Sequence, residues 1–309
     1  MKNNQQGAAL ITVIIVVLLL SLLITSAQKL LNNRIDIASD SKQQLLDKAR
    51  VQSTLAELSY LIATQRLTPA GIATGQHPDG LMRIDENWAS ILTHDEIRVD
   101  GEYIKAQAQS SSPLEYAIQA ENGLLPINDA SHYWLKQWLV KRGLSDFDAN
   151  KYSNLLHDYA DEDDWALPSG AENLTYRHAN LPPPSNFLLQ SCGELLNVME
   201  WPELLDDNPY LLDNCSLLRV PTLNVNAVPV SLWRVLWPDS ADTIAQQRQQ
   251  GHWLYSDSHV IGVEPSVSSG YYSFYASGYF TVEARTPFYS KTLRVKRQQR
   301  ELPPIEVRH

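Results

Sequence analysis

The sequence predicts an α+β chain: a long N-terminal helix packed on an antiparallel sheet, with a large all-α domain inserted into that sheet. Three observations predict it. An apolar period compatible with one helix runs from Ala8 to Arg66 without a single Pro or Gly. Strand-like alternation precedes Asn122-Gly123 and returns after Tyr271. Between them, seven of the eight tryptophans fall from Trp134 to Trp253, which marks a second dense core. The 309 residues are 44% hydrophobic and 19% charged, enough to bury that much core and to exclude global disorder. A net charge of −10 lacks the positive footprint that a nucleic acid or an anionic lipid surface requires. The two cysteines are too few for a disulfide scaffold and form no CxxC zinc pair.

Residues 1–7 are a short polar leader ending in Gly7, and residues 8–27 are almost purely apolar and carry no charge. Twenty helical residues span about 30 Å, the thickness of a bilayer core. Lys2 ahead of the span predicts a cytoplasmic leader and an exported bulk, although Lys29 and Arg34 weaken that bias. Three readings stand at this point: a plain anchor, a secretory signal cut after Thr25-Ser26-Ala27, or a leader cut at Gly7. Over residues 28–66 the apolar residues recur at Leu31, Ile35, Ala38, Leu45 and Ala49, then at Leu55, Leu58 and Ile62. These three- and four-residue steps continue the span as an amphipathic helix. A coiled-coil stalk is the competing reading, but its heptads are not sustained.

Beyond Pro69 and Gly71, residues 67–122 read as the first part of a sheet. Asp100-Gly101 is a hairpin signal between Ile97/Val99 and Tyr103/Ile104, and Leu114 to Ala120 alternates as a strand. Residues 123–255 read as helical, with periodic segments at Tyr133–Lys141, Asp148–Ala160, Phe187–Trp201 and Val230–Leu236. Residues 256–309 return to strands that turn near Thr286-Pro287, and the charged, Pro-rich tail from Arg297 reads as frayed. The helical block holds a weak repeat. Leu125-Pro126-Ile127-Asn128 precedes one Trp-bearing helix and Leu223-Asn224-Val225-Asn226 another, with Asn128 and Asn226 read as side-chain caps.

Asp158, Asp161, Glu162, Asp163 and Asp164 crowd five carboxylates into seven residues, with Glu172 shortly after. Such a loop is either a solvated acidic surface or a set of hard oxygen ligands suited to Ca²⁺. Asp206, Asp207 and Asp213 form a weaker cluster. Cys192 and Cys215 enclose 22 residues; in an oxidising compartment they read as a disulfide, and otherwise as buried free thiols. The chain has no G-x-S-x-G, HExxH, S-x-x-K, P-loop or GxGxxG motif, so no catalytic residues are assigned.

The leader ending in Gly7, followed by Ala8 and the apolar run, resembles the leader of type IV pilins and pseudopilins. That resemblance implies cleavage after Gly7 by a prepilin peptidase, N-methylation of Ala8, and a pilin-like fold. The family's Glu at the fifth mature position is replaced here by Thr12, a loss that within the family marks minor pseudopilin K of type II secretion systems. The paired Asn-bearing loops resemble the helix-hairpin-helix-like (SAM-like) repeats of that protein's inserted domain. Asp161-Glu162-Asp163-Asp164-Trp165, Gly170-Ala171-Glu172 and Tyr176 resemble its acidic signature, with Tyr159 standing where the family has Trp. The resemblance implies calcium in the inserted domain, and Asp161, Asp163, Glu172 and Asp158 are the candidate ligands. It also implies a single-pass inner-membrane protein with a periplasmic C-terminal domain at the tip of the pseudopilus. Its partners would be minor pseudopilins I and J and the inner-membrane secretion platform, and not a nucleic acid. A minor pilin of a type IV pilus and a membrane-anchored periplasmic hydrolase are the alternatives.

Overall fold

The computed structural model describes residues 4–74, 96–106, 113–254, 269–298 and 305–308. Helix α1 (Asn4–Thr64) is one uninterrupted rod of 61 residues, about 90 Å long at 1.5 Å per residue. Its apolar segment is long enough to cross a membrane and none of it is buried in the protein. The last third of the rod changes character. Val51, Leu55, Leu58 and Ile62, spaced 4-3-4 on one face, are each 3% exposed or less. They form one core with Ile118, Phe280, Val282, Leu293 and Val295 of the sheet. Burying each such side chain is worth about 2 kcal/mol, so this stripe fastens rod to sheet.

The main sheet has five strands in the order β12-β11-β10-β5-β4, all antiparallel. They are β4 (Ile104–Lys105), β5 (Glu115–Ala120), β10 (Tyr279–Arg285), β11 (Ser290–Arg297) and β12 (Ile305–Arg308). The register pairs Val282 with both Ile118 and Leu293, and Phe280 with Ala120 and Val295, so one face carries these apolar residues toward α1. A smaller sheet joins β1 (Leu67–Thr68), β2 (Gly71–Ala73) and β3 (Glu96–Ile97). Gly71, at φ 141°, takes a conformation few side chains tolerate, and a Cβ there would collide with the Ile97 carbonyl.

The segment around Asp100-Gly101 departs from the sequence reading. It turns, with Gly101 at φ 77°, but its flanks join different sheets: β3 pairs with β2, and β4 with β5. The turn itself is held by β5, because Gly101 N–H donates to Ile118 O and Ala120 N–H to Val99 O. The tail differs as well. β12 pairs with β11 along Ile305–Arg308, and Arg297 donates to the Gln65 carbonyl at the end of α1, so the tail completes the sheet.

The inserted domain has its own core, running from Leu125 to Tyr272. Its main helices are α2 (Tyr133–Lys141), α3 (Asp146–Ala160), α4 (Asn173–His178), α5 (Trp201–Asp207), α6 (Tyr210–Asp213), α7 (Val230–Leu236) and α8 (Ala241–Gln249). The predicted helix over Phe187–Trp201 is absent. A 3-10 turn over Cys192–Asn197 stands there instead, because Leu189 is tied to Asn128 and Cys192 to Cys215. These long-range ties override the local period.

The repeat turns out to be deeper than its sequence signal. β6 (Leu125–Pro126) pairs in parallel with β7 (Cys215–Ser216), and β8 (Leu223–Asn224) in parallel with β9 (Tyr272–Ser273). Asn128 and Asn226 are not helix caps. Asn128 receives the Leu189 N–H and donates to the Leu189 and Leu217 carbonyls. Asn226 does the same with Leu254 and Phe274. Each amide brackets a distant backbone segment at the matching place in its repeat. A buried Asn has donors and an acceptor for two such strands at once, which no apolar residue can supply. Asn128→Ala and Asn226→Ala leave a buried N–H and carbonyl unpaired, so each is expected to lower stability by about 2 kcal/mol. Denaturant unfolding of the two variants checks this; losses below about 0.5 kcal/mol would mean that the brackets are incidental.

Candidate metal centre

Three of the four candidate ligands come together. Asp158 and Asp161, at the C-terminal end of α3, and Glu172, just before α4, offer carboxylate oxygens within 4.8 Å of one another. No other such group of three occurs among the described residues, so Asp206, Asp207 and Asp213 are not gathered. Asp163 stands apart in a different role: its Oδ1 accepts the Trp165 N–H at 2.8 Å and shapes the exposed loop. Spacing alone could not separate Asp161 from Asp163, because only the C-cap of α3 decides which one turns inward.

Helix and loop build the centre jointly. Ser145 caps α3 by accepting the Asp148 N–H, and the helix runs to Ala160, delivering Asp158 fully buried. The loop then wraps back, and Leu167 N–H donates to both Asp158 oxygens at 3.2 and 3.1 Å. Gly170 lies against the same carboxylate, where a Cβ would collide with Asp158 Oδ2. This close approach explains the glycine two residues before Glu172. Asn154 holds the loop from behind by donating to the Pro168 carbonyl.

The electrostatics of the trio would suit a cation. Glu172 is 6% exposed, and neither of its oxygens has a well-formed hydrogen bond; Asp161 Oδ1 is likewise buried and unpaired. Desolvation, then repulsion from Asp158 and Asp161, push the Glu172 carboxyl up to about 7, with the Asn173 N–H pulling weakly the other way. Burial also raises Asp158 and Asp161, opposed by the Leu167 N–H at Asp158 and by His157 at Asp161. Orphaned buried carboxylate oxygens carry a desolvation cost that a hard divalent cation reverses. The donor set is all oxygen and fits Ca²⁺ rather than a soft metal. Asp158, Asp161 and Glu172 would hold the ion, which would supply charge neutralisation to the loop.

Behind the carboxylates sits a pair that the sequence reading missed. His132, at φ 46°, is buried with Nδ1 2.9 Å from Ser153 Oγ, and its ring meets His157 edge-on at 6.1 Å. Burial and the neighbouring His157 lower it to about 4, so it is neutral at physiological pH. Both His132 and Ser153 are about 5% exposed and serve as packing behind the loop rather than as a nucleophile and base facing a substrate. The signal for this pair was a lone His before a helix and a Ser on the facing one, which is too common to read.

The two cysteines are joined, with Cα atoms 6.2 Å apart, and the bond fixes the Cys192–Asn197 turn to β7. Gly7, Ala8 and Thr12 lie on the α1 backbone, within the N-terminal turns of the rod.

No family model matches the sequence, and neither does any curated protein. The structure has a counterpart in one chain of the GspK-GspI-GspJ complex from the enterotoxigenic Escherichia coli type 2 secretion system. The two superpose with a TM-score of 0.51 and 14% identity, covering 89% of this chain and 97% of that one. The architecture is therefore a pilin-like α+β fold carrying an inserted helical domain.

With the site metal-free, Glu172 makes stability fall as pH rises from about 4.5 to about 7, because the unfolded chain releases its proton first. Thermal melts in chelator should show that slope, and Glu172→Gln should flatten it and raise the melting temperature at pH 7.5. Adding Ca²⁺ at about 100 times its dissociation constant should stabilise the wild type by about 2.7 kcal/mol and leave Glu172→Gln unmoved. Identical melts with chelator and with millimolar Ca²⁺ would reduce the trio to an acidic surface.

Proposed function

We propose that this chain is a minor pseudopilin that closes the tip of the periplasmic pseudopilus of a type II secretion system. The observation that carries the reading is the architecture as a whole: an apolar rod continuous with a sheet core, and a bulky helical domain inserted into that sheet. The structural counterpart comes from the GspK-GspI-GspJ complex of a type 2 secretion system. In this reading the prepilin peptidase cuts after Gly7 on the cytoplasmic side and Ala8 becomes the methylated N-terminus. The span then holds the subunit in the inner membrane with residues beyond it in the periplasm.

Thr12 supports a terminal position. A carboxylate within a bilayer is costly and is kept only for a partner, and this chain does not carry one at the fifth mature position. The inserted domain adds bulk above the sheet, which stops further subunits from stacking on it. I-type and J-type minor pseudopilins are the partners, and the inner-membrane platform drives assembly. The role is structural: Ca²⁺ at Asp158, Asp161 and Glu172 steadies the inserted domain. Asp146 and Asp148 in the first turn of α3, where a helix-hairpin-helix would seat a phosphate, support a reading without a nucleic acid.

Mass spectrometry of the membrane-extracted chain should find a methylated Ala8 at the N-terminus. Gly7→Glu places charge and bulk at the cut and should leave the precursor intact. A chain beginning after Ala27, or retaining Met1 in the wild type, would overturn the assignment.

A further inference from the structure

Trp165 departs from the rule that the other tryptophans follow. It is 83% exposed, whereas every other tryptophan among the described residues is 9% exposed or less. It stands in the acidic loop beside Glu162, Asp163 and Asp164, which are exposed as well. Among the described residues no ring pairs with the indole and no cation lies over it. The loop does not leave it loose. Asp163 Oδ1 accepts the Trp165 N–H, and two residues on the Leu167 N–H is fixed to the buried Asp158 carboxylate. An indole carried on backbone that is already tied down loses little freedom when a partner covers it.

The C-terminal end of α3 gathers three segments around this loop. The loop itself is held through Asp158 and through Asn154, which donates to the Pro168 carbonyl. Helix α4 is held through Tyr176, whose ring lies 6.3 Å from that of Tyr159. The Pro-rich segment after α4 is held by the Asn186 N–H on the Tyr159 carbonyl, at 3.1 Å. These segments leave apolar side chains uncovered: Leu174 is 66% exposed, Phe187 58% and Leu181 42%, with Pro182 and Pro183 exposed beside it. One exposed Leu is ordinary on a surface, but several on segments tied to one helix end, together with a Trp, mark a protein-binding face. Charge then selects the partner. Glu162, Asp163 and Asp164 form no ion pair among the described residues. Glu162 and Asp164 also stand outside the Asp158, Asp161 and Glu172 trio, so a cation held there leaves them charged. An acidic rim turns away acidic partners and draws Lys and Arg.

We propose that the Trp165 loop, with α4 and the Pro-rich segment, is a docking surface for a basic protein segment that carries Lys or Arg among apolar side chains. Trp165 is the anchor, as Trp is in many interfaces, and the surrounding apolar residues exclude water from it. Glu162 and Asp164 steer the approach and pair with the segment's cations. A neutral glycan also stacks on an indole, but Leu174, Leu181 and Phe187 offer its hydroxyls no hydrogen bond, so the surface favours a protein. It lies on the inserted domain and is independent of how the rod assembles.

The test titrates the full chain, in a neutral lipid disc, with a fluorescent peptide of Lys, Leu and Ala, and with the same peptide carrying Glu for Lys. The Lys peptide should bind, and the Glu peptide at least about tenfold more weakly. Trp165→Ala should weaken the Lys peptide by about tenfold or more with the melting temperature unchanged, because the side chain it removes is exposed. The double variant Glu162→Gln with Asp164→Asn should weaken binding too, and make it less sensitive to salt. In cells, a photo-reactive benzophenone residue in place of Trp165 should cross-link to a protein segment bearing Lys or Arg. The same residue in place of Tyr210, 73% exposed on α6, should not trap that segment. Equal binding by wild type and Trp165→Ala would reduce the effect to attraction by an acidic surface and overturn the proposal. So would failure of both peptides to bind, binding of a chitin oligosaccharide in their place, or the absence in cells of any cross-link to a basic segment.

Discussion

Arg248 is charged inside the protein, and the junction between the helical domain and the sheet is organised around that fact. It projects from α8, 4% exposed, and donates to the Val225 and Val228 carbonyls at 2.7 Å. Its other partner is Asp100, at 3.3 Å, on the turn between the two sheets, which Arg98 also engages at 2.5 Å. The guanidinium lies over the Trp233 ring, 5.4 Å from its centre. Desolvation lowers its pKa to about 10, opposed by Asp100, so it stays protonated at neutral pH. A buried ion that lost its partner would leave an uncompensated charge, which costs about 3–5 kcal/mol. One side chain thus links the second repeat, the last helix and the sheet turn. Close packing completes the junction: a Cβ at Gly123 would collide with the Ala227 carbonyl, which also accepts from Gln119.

The centre at Asp158, Asp161 and Glu172 and the disulfide answer the same difficulty in a neighbouring region. The stretch from Asp161 to Asn197 contains one short α-helix, one 3-10 turn and no strand, so it cannot hold itself by hydrogen bonds along the chain. It is held at points instead: the Leu167 N–H on the Asp158 carboxylate at one end, Asn128 bracketing Leu189 in the middle, and Cys192 at the other. Tyr176 adds a further point by accepting the Met199 N–H from a fully buried position. Each tie closes a loop whose disorder would otherwise favour the unfolded chain.

What was legible in the sequence depended on whether the cause was local. Helices α2 and α7 match their periodic segments residue for residue, because a 3.6-residue stripe and its flanking turns are properties of adjacent residues. Strand β5 was legible for the same reason. The errors fall where a partner far away in the chain decides. Asp100-Gly101 has the composition of a hairpin, yet β5 and Arg248 claim its backbone and carboxylate. Phe187 to Trp201 has a helical period, yet Asn128 and Cys215 hold it in another shape. Asn128 and Asn226 were recognised as a pair but given a local role, because a bracket across 61 or 28 positions leaves no trace in its neighbours. Within the acidic run, the carboxylates were readable, and which of Asp161 and Asp163 turns inward was not.

The two repeats are fastened differently, and this gives the molecule a load path. The first closes on itself, since β6 meets β7 within the inserted domain. The second closes on β9, on the chain segment that leads directly into β10 of the main sheet. A pull transmitted up α1 reaches the sheet through the Val51–Ile62 stripe and then divides at β10 and Arg248, both of which lead to the second repeat. The first repeat, with its carboxylate trio and disulfide, takes its share through the short step from β5 across Glu121–Gly123 into β6. The carboxylate trio sits at the far end of α3, on none of these joints, so loosening it would soften that end of the head without parting it from its stem.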